Sequence, residues 1–97
     1  MAIYVPPKDL EFIRNLLRKY FPKAKIYVFG SRVRGDHKLY SDLDICIDFG
    51  GSIPLNVWSS VEENLSQSDL LYKVDFSDWH RITEDFRKVV LTEGELL

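Results

Sequence analysis

Asp42 and Asp44 stand two residues apart in the segment Ser41-Asp42-Leu43-Asp44. On a β-strand, alternate side chains project from one face, so both carboxylates would lie within reach of a shared cation. Two adjacent carboxylates without a partner repel each other, and a divalent ion such as Mg²⁺ removes that penalty. The spacing therefore predicts a metal site, although alternate acidic residues are also typical of a strand face that meets water.

Asp75 is the third acidic candidate. It comes at the end of a predicted strand, and a neighbouring place in the sheet would bring its carboxylate beside the pair, completing a site for two metal ions. Asp75 could instead lie at the surface or cap a turn, as could Asp78 nearby. Asp48 shares the face of the pair but lies roughly 13 Å beyond Asp44, so we expect it only to be exposed.

Gly30 and Ser31 follow a predicted strand and open a turn. Because glycine lacks a Cβ, backbone N–H groups at such a turn can approach a phosphate closely, and the serine hydroxyl adds a donor. Arg32 and Arg34 can add paired hydrogen bonds to phosphate oxygens. The alternatives are an ordinary helix cap and turn, and surface salt bridges between these arginines and residues such as Asp36.

Hydrophobic spacing places these residues on a small sheet covered by helices. Apolar positions at three- and four-residue steps predict helices, and short β-branched and aromatic runs predict strands. The second strand alternates between two faces. One face carries Leu43, Ile45, Ile47 and Phe49, and the other carries Asp42, Asp44, Cys46 and Asp48. The predicted elements are a helix over 7–21, a strand over 24–29, a turn and loop over 30–40, a strand over 42–49, a helix over 54–66, a strand over 70–76 and a helix over 82–94. The fold class is α/β or α+β, with a mixed sheet of about three to four strands.

Composition predicts one globular domain over residues 1–97, because a core of this size is too small to divide. Thirteen basic and fifteen acidic residues give a net charge of −2, without the basic excess that a nucleic-acid partner requires. The apolar stretches are too short for a signal peptide or a membrane span. Cys46 is the only cysteine, so no intrachain disulfide can form. We therefore expect a cytoplasmic protein with neither a nucleic-acid nor a membrane partner.

Three segments together, in this order, resemble the minimal nucleotidyltransferase family of the polymerase β superfamily. They are Gly30-Ser31-Arg32-Val33-Arg34-Gly35, Ser41-Asp42-Leu43-Asp44 and Val74-Asp75. The resemblance covers nearly the whole chain. It implies a polymerase β-like core, a triphosphate bound by Ser31, and metal ions, expected to be two Mg²⁺, held by Asp42, Asp44 and Asp75. ATP is the expected donor, and Asp75 is expected to help activate the attacking hydroxyl.

The resemblance also implies a partner. Minimal proteins of this family are commonly antitoxins of small helical HEPN toxins, and some transfer AMP to a tyrosine of the toxin. We therefore expect an antitoxin enzyme that forms a complex with such a partner. The alternative is a non-catalytic antitoxin or nucleotide-binding subunit that neutralises its partner by complex formation. A small-molecule acceptor ranks third, because the chain lacks a second domain to form its pocket.

Overall fold

The computed structural model describes residues 3–97, and these form a four-stranded mixed sheet with helices on both faces. The elements are α1 (Pro7–Tyr20), β1 (Lys25–Phe29), α2 (Ser31–Arg34), β2 (Leu43–Asp48), α3 (Leu55–Ser66), β3 (Val74–Asp78), α4 (Glu84–Glu93) and β4 (Glu95–Leu96). The strand order is β3-β2-β1-β4. β2 and β3 are parallel, whereas β1 is antiparallel to both of its neighbours. The predicted class, a small mixed α/β sheet, is confirmed.

Two strands differ from the prediction. β3 covers Val74–Asp78 instead of 70–76, because its partner β2 begins only at Leu43, which pairs with Val74. Residues 70–73 have no strand beside them and form a loop, although Tyr72 is buried there. β4 was not predicted. It has two residues, which is too short to show alternation, and it pairs with Tyr27 and Val28 of β1.

The hydrophobic core lies on the face of the sheet that α1 and α3 cover. The inward residues of β1 and β2 are fully buried there, together with residues of the two helices: Ile13, Leu17, Ile26, Val28, Leu43, Ile45, Ile47 and Val61. This arrangement confirms the predicted apolar face of the second strand. No helix within residues 3–97 combines the length and the apolarity that crossing a membrane would require.

The opposite face is only partly acidic, because α4 packs on it. Cys46, predicted to alternate with the aspartates, is fully buried against Phe29 and Val90. Burial raises the pKa of the Cys46 thiol, which therefore behaves as a small apolar residue. Thr83 caps the N-terminus of α4, and its hydroxyl accepts a hydrogen bond from the Phe86 N–H at 3.2 Å. The aspartate end of this face is left open beside α4.

The Arg32 side chain is buried within the fold, and its predicted contact with a phosphate is wrong. Only 4% of the residue is exposed, and its guanidinium lies 4.1 Å from the centre of the Tyr72 ring. It donates at 2.8–3.4 Å to the backbone carbonyls of four residues, Tyr4, Lys38, Leu39 and Ser41. Arg32 therefore ties the loop before Asp42 to the N-terminal segment.

Replacing Arg32 should destabilise the fold. We expect Arg32→Ala to lower the free energy of unfolding by about 2–4 kcal/mol, because four partly buried backbone carbonyls lose a charged donor. Urea denaturation measures the change. Arg14→Ala, which removes an exposed arginine of α1, should stay within about 0.5 kcal/mol of the wild type. Wild-type stability of Arg32→Ala would contradict the structural role.

Candidate active site

The register of the sheet brings the candidate residues together. Asp44 of β2 pairs with Phe29, the last residue of β1, and with Asp75 of β3. Paired residues on adjacent strands lie side by side, and their side chains share a face. Asp44 therefore has the beginning of the Gly30 turn on one side and a second carboxylate on the other.

Gly30 is required by the close approach of Asp44. Its φ is 83°, and a Cβ at this position would overlap with the Oδ2 atom of Asp44. The turn continues into α2, where Val33 and Arg34 donate their N–H groups to the Gly30 carbonyl at 3.0 Å. α2 ends at Gly35, whose φ is 93°. The predicted short helical turn between two glycines is confirmed.

A cleft of about 510 Å³ lies between α4 and the aspartate end of the sheet. Its lining residues are Phe29, Gly30, Ser31, Arg34, Asp44, Asp75, Ser77, Phe86, Val89 and Glu93. Gly30, Ser31, Arg34, Asp44 and Asp75 thus share one cleft. Asp42 lies one residue before β2, is exposed and does not line the cleft. The binding and catalytic roles of this set stay a prediction.

Asp44 has a carboxylate with a raised pKa. Partial burial is the main reason that this pKa rises from 3.8 to about 6, and the charges of Asp75, Asp42 and Glu93 contribute to the rise. The positive charge of Arg34 lowers the Asp44 pKa, but by less than burial and the negative charges raise it. The cleft therefore concentrates negative charge that the protein itself leaves unneutralised, and a cation would relieve the repulsion.

The donor set suits a metal ion that arrives with phosphate. Within the part of the chain that the structure describes, no three His, Cys, Asp or Glu side chains converge into a ready-made metal cage. Mg²⁺ does not need one, since it is usually bound by one or two carboxylates, phosphate oxygens and waters. The neighbouring carboxylates of Asp44 and Asp75 meet that requirement. That Asp42 joins them as a third metal ligand stays a prediction.

Arg34 lies at the mouth of the cleft and has two acidic partners. Its Nη1 atom lies 3.1 Å from Glu93 Oε1, and its Nε atom lies 3.4 Å from the Asp36 carboxylate. The surface pair with Asp36 was an alternative to phosphate binding for this arginine, and it is present. Because half of the side chain is exposed, both pairs can exchange for a bound anion.

Several cleft residues were not predicted. Phe86, Val89 and Glu93 lie on one side of α4 at helical spacing. The sequence predicted a helix here but did not predict that this side lines a site. Ser77 lies two residues after Asp75, and strand alternation could have placed it on the same face. Glu93 accepts a hydrogen bond from the Gly30 N–H at 3.3 Å. No local pattern in the sequence pointed to that long-range contact.

Asp48 and Asp78 lie outside the cleft. The buried Asp78 side chain accepts from the N–H groups of Ile53, at 2.9 Å, and His80, at 3.0 Å. The Asp48 carboxylate lies 3.0 Å from Nε2 of His80. Both aspartates hold loops at the far end of the sheet, so Asp75 is the β3 aspartate that faces the cleft.

Known proteins are similar to this chain in sequence and in fold. A Haemophilus influenzae protein named "Probable protein adenylyltransferase MntA" is 34% identical over 86 residues, which are 89% of this chain and 75% of that protein. A toxin–antitoxin crystal structure with AMP-PNP superposes with a TM-score of 0.75 at 29% identity, over 89% of this chain and 69% of the matched one.

A second solved complex contains the tri-AMPylated HEPN toxin of Shewanella oneidensis with its MNT antitoxin. Its matched chain is 29% identical, with a TM-score of 0.67, over 89% of this chain and 66% of its own length. Residues 11–97 match the family described as "Polymerase beta, Nucleotidyltransferase". The chain therefore belongs to the polymerase β nucleotidyltransferase family, and within it resembles the MntA adenylyltransferases.

Proposed function

We propose that this protein is a metal-dependent nucleotidyltransferase that transfers AMP from ATP to a hydroxyl group. One observation carries the proposal: Asp44 and Asp75 lie side by side in a cleft that the turn of Gly30, Ser31 and Arg34 also lines. Carboxylates that can hold a divalent cation thus adjoin donors that can hold phosphate. A nucleoside triphosphate with its metal supplies both charges.

The two groups of residues have different roles in this proposal. Ser31 and the turn around Gly30 hold the terminal phosphates, and the Arg34 guanidinium neutralises part of their charge. Asp44, with Asp42 and Asp75, holds Mg²⁺, expected to be two ions. The metal, when bound, neutralises charge that develops on the phosphates during transfer.

The transfer step is a displacement at phosphorus. The acceptor oxygen forms a bond to the α-phosphorus of ATP, and the bond between that phosphorus and the bridging oxygen of the β-phosphate breaks. Pyrophosphate leaves with the bonding electron pair. The acceptor hydroxyl gives its proton to the Asp75 carboxylate, which acts as the general base. Asp75 is exposed, so an acceptor can reach it from outside the chain.

The acceptor in this proposal is a tyrosine of a HEPN-type toxin, and the protein is its antitoxin. The similarity to "Probable protein adenylyltransferase MntA" and to the antitoxin bound to an AMPylated HEPN toxin supports this choice. The two proteins would form a complex, in which the toxin supplies the acceptor that the nucleotide cleft does not contain. A cytoplasmic location, where ATP and Mg²⁺ are available, completes the proposal.

Joint binding of metal and nucleotide is the first test. Mg²⁺ with ATP should raise the melting temperature more than either ligand alone, because the metal bridges the carboxylates and the phosphates. Differential scanning fluorimetry measures the shift. Ser31→Ala should reduce it, whereas Glu11→Gln, on the exposed side of α1, should leave it unchanged. No shift at millimolar ligand would count against a working site.

Asp44→Asn should stabilise the protein in metal-free buffer at about pH 8. The pKa of Asp44 is about 6 in the folded protein and 3.8 ordinarily, so its ionisation opposes folding. Stability therefore falls as the pH rises from about 3.8 to about 6, and the full penalty remains at higher pH. The amide removes that penalty, so the gain in melting temperature should be largest near pH 8 and should shrink towards zero near pH 4. Asp69→Asn, at an exposed loop position, is the control and should show no such gain. A pH-independent loss of stability would instead indicate a structural role for Asp44.

Mass spectrometry of the partner separates enzyme from binder. With ATP, Mg²⁺ and a HEPN-type protein that it binds, the wild type should add AMP groups to a partner tyrosine. The Asp44→Asn variant should bind the partner equally well but add none, because the metal site is lost. An unmodified partner that both proteins inhibit fully would favour the non-catalytic antitoxin.

A further inference from the structure

Glu93 links the last turn of α4 to the turn that faces the proposed phosphate position. A single carboxylate oxygen, Oε1, accepts from the Gly30 N–H at 3.3 Å and from Arg34 Nη1 at 3.1 Å. The side chain lies in the cleft and is 27% exposed. Two parts of the chain more than fifty residues apart are therefore joined by one carboxylate.

Helix stability does not explain an acidic residue at this position. The last turn of a helix carries a partial negative charge, which disfavours a carboxylate and favours a basic residue. α4 has no basic residue in its last turn, and Glu93 is its final residue. Glu93 also adds negative charge near Asp44. The contacts to Gly30 and Arg34 offset both the unfavourable helix position and the repulsion between Glu93 and Asp44.

The two contacts act on the groups that would meet a triphosphate. Gly30 has a backbone conformation, φ 83° and ψ −158°, that is open to glycine alone, and a bond to its N–H restrains the turn. Arg34 pairs through Nε with Asp36, which does not line the cleft, and through Nη1 with Glu93, which does. Glu93 therefore holds the Nη1 end of the guanidinium at the cleft.

We infer that Glu93 is a positioning residue for phosphate binding, which restrains the Gly30 turn and holds the Arg34 guanidinium at the cleft. The inference rests on the proposed function. Glu93 acts through Gly30 and Arg34, so its effect on ligand binding should depend on Arg34. Its carboxylate does not itself contact the phosphate, since two anions would repel each other.

A double-mutant cycle tests this dependence. Glu93→Gln keeps a carbonyl oxygen for the Gly30 N–H but loses the charge that holds Arg34. We expect it to weaken binding of inorganic tripolyphosphate and of ATP with Mg²⁺ by a factor of about ten, measured by calorimetry. In an Arg34→Met background the same substitution should cause little further loss. Glu11→Gln makes the same change of charge on α1, where the carboxylate is exposed, and should bind like the wild type.

Two binding results would overturn the inference. Tighter binding by Glu93→Gln would mean that the carboxylate competes with phosphate, and an equal loss in the Arg34→Met background would mean that it does not act through Arg34. If the wild type binds neither ligand, the proposed function fails. The exchange rate of the Gly30 amide hydrogen then tests, without any ligand, whether Glu93 restrains the turn. Faster exchange in Glu93→Ala than in the wild type would support the restraint, and unchanged exchange would refute it.

Discussion

The carboxylate of Asp44 occupies the space where a side chain at position 30 would begin, and the rest of the cleft depends on this contact. It follows from the register, because Asp44 pairs with Phe29 at the end of β1. Only glycine can follow Phe29 without a clash, and glycine also permits the positive φ that starts the turn. The acidic strand and the turn into α2 are therefore one structural unit. The donors proposed to bind phosphate and the oxygens proposed to bind metal are thus held at a fixed separation, without any flexible linker between them.

This unit is electrostatically unfavourable by itself. Asp44, Asp75 and Glu93 line one cleft in which Arg34 is the single lining basic residue among those the structure describes. This repulsion lowers the stability of the fold. Burial of the apolar residues on the opposite face of the sheet supplies the free energy that offsets it. The larger apolar core faces α1 and α3. The residues that could do chemistry face α4, beside the smaller buried cluster of Phe29, Cys46 and Val90.

The sequence predicted the parts of this site that local patterns encode. The glycine-serine turn, the alternating Asp44 strand and the later Asp75 are each visible within a few residues. Register is not local, and it decided where β3 begins and which of Asp75 and Asp78 faces the cleft. Arg32 and Arg34 look alike in the sequence, yet one is buried among backbone carbonyls and the other lies at the cleft. Their difference comes from the loop that wraps Arg32, and Glu93 reaches the turn only through the packing of α4.

The place of Asp75 in the sheet bears on how an acceptor could be supplied. β3 is the outer strand of the described sheet, and Asp75 is exposed on it, whereas Asp44 on the neighbouring inner strand is partly buried. A ligand held at Asp44 and the Gly30 turn would therefore lie deeper than one that approaches Asp75. This difference in depth suits a two-substrate reaction, in which the nucleotide lies inside and the hydroxyl arrives from the open edge. The described residues line the side of the site that is proposed to bind the nucleotide, and the exposed edge leaves room for an acceptor beside Asp75.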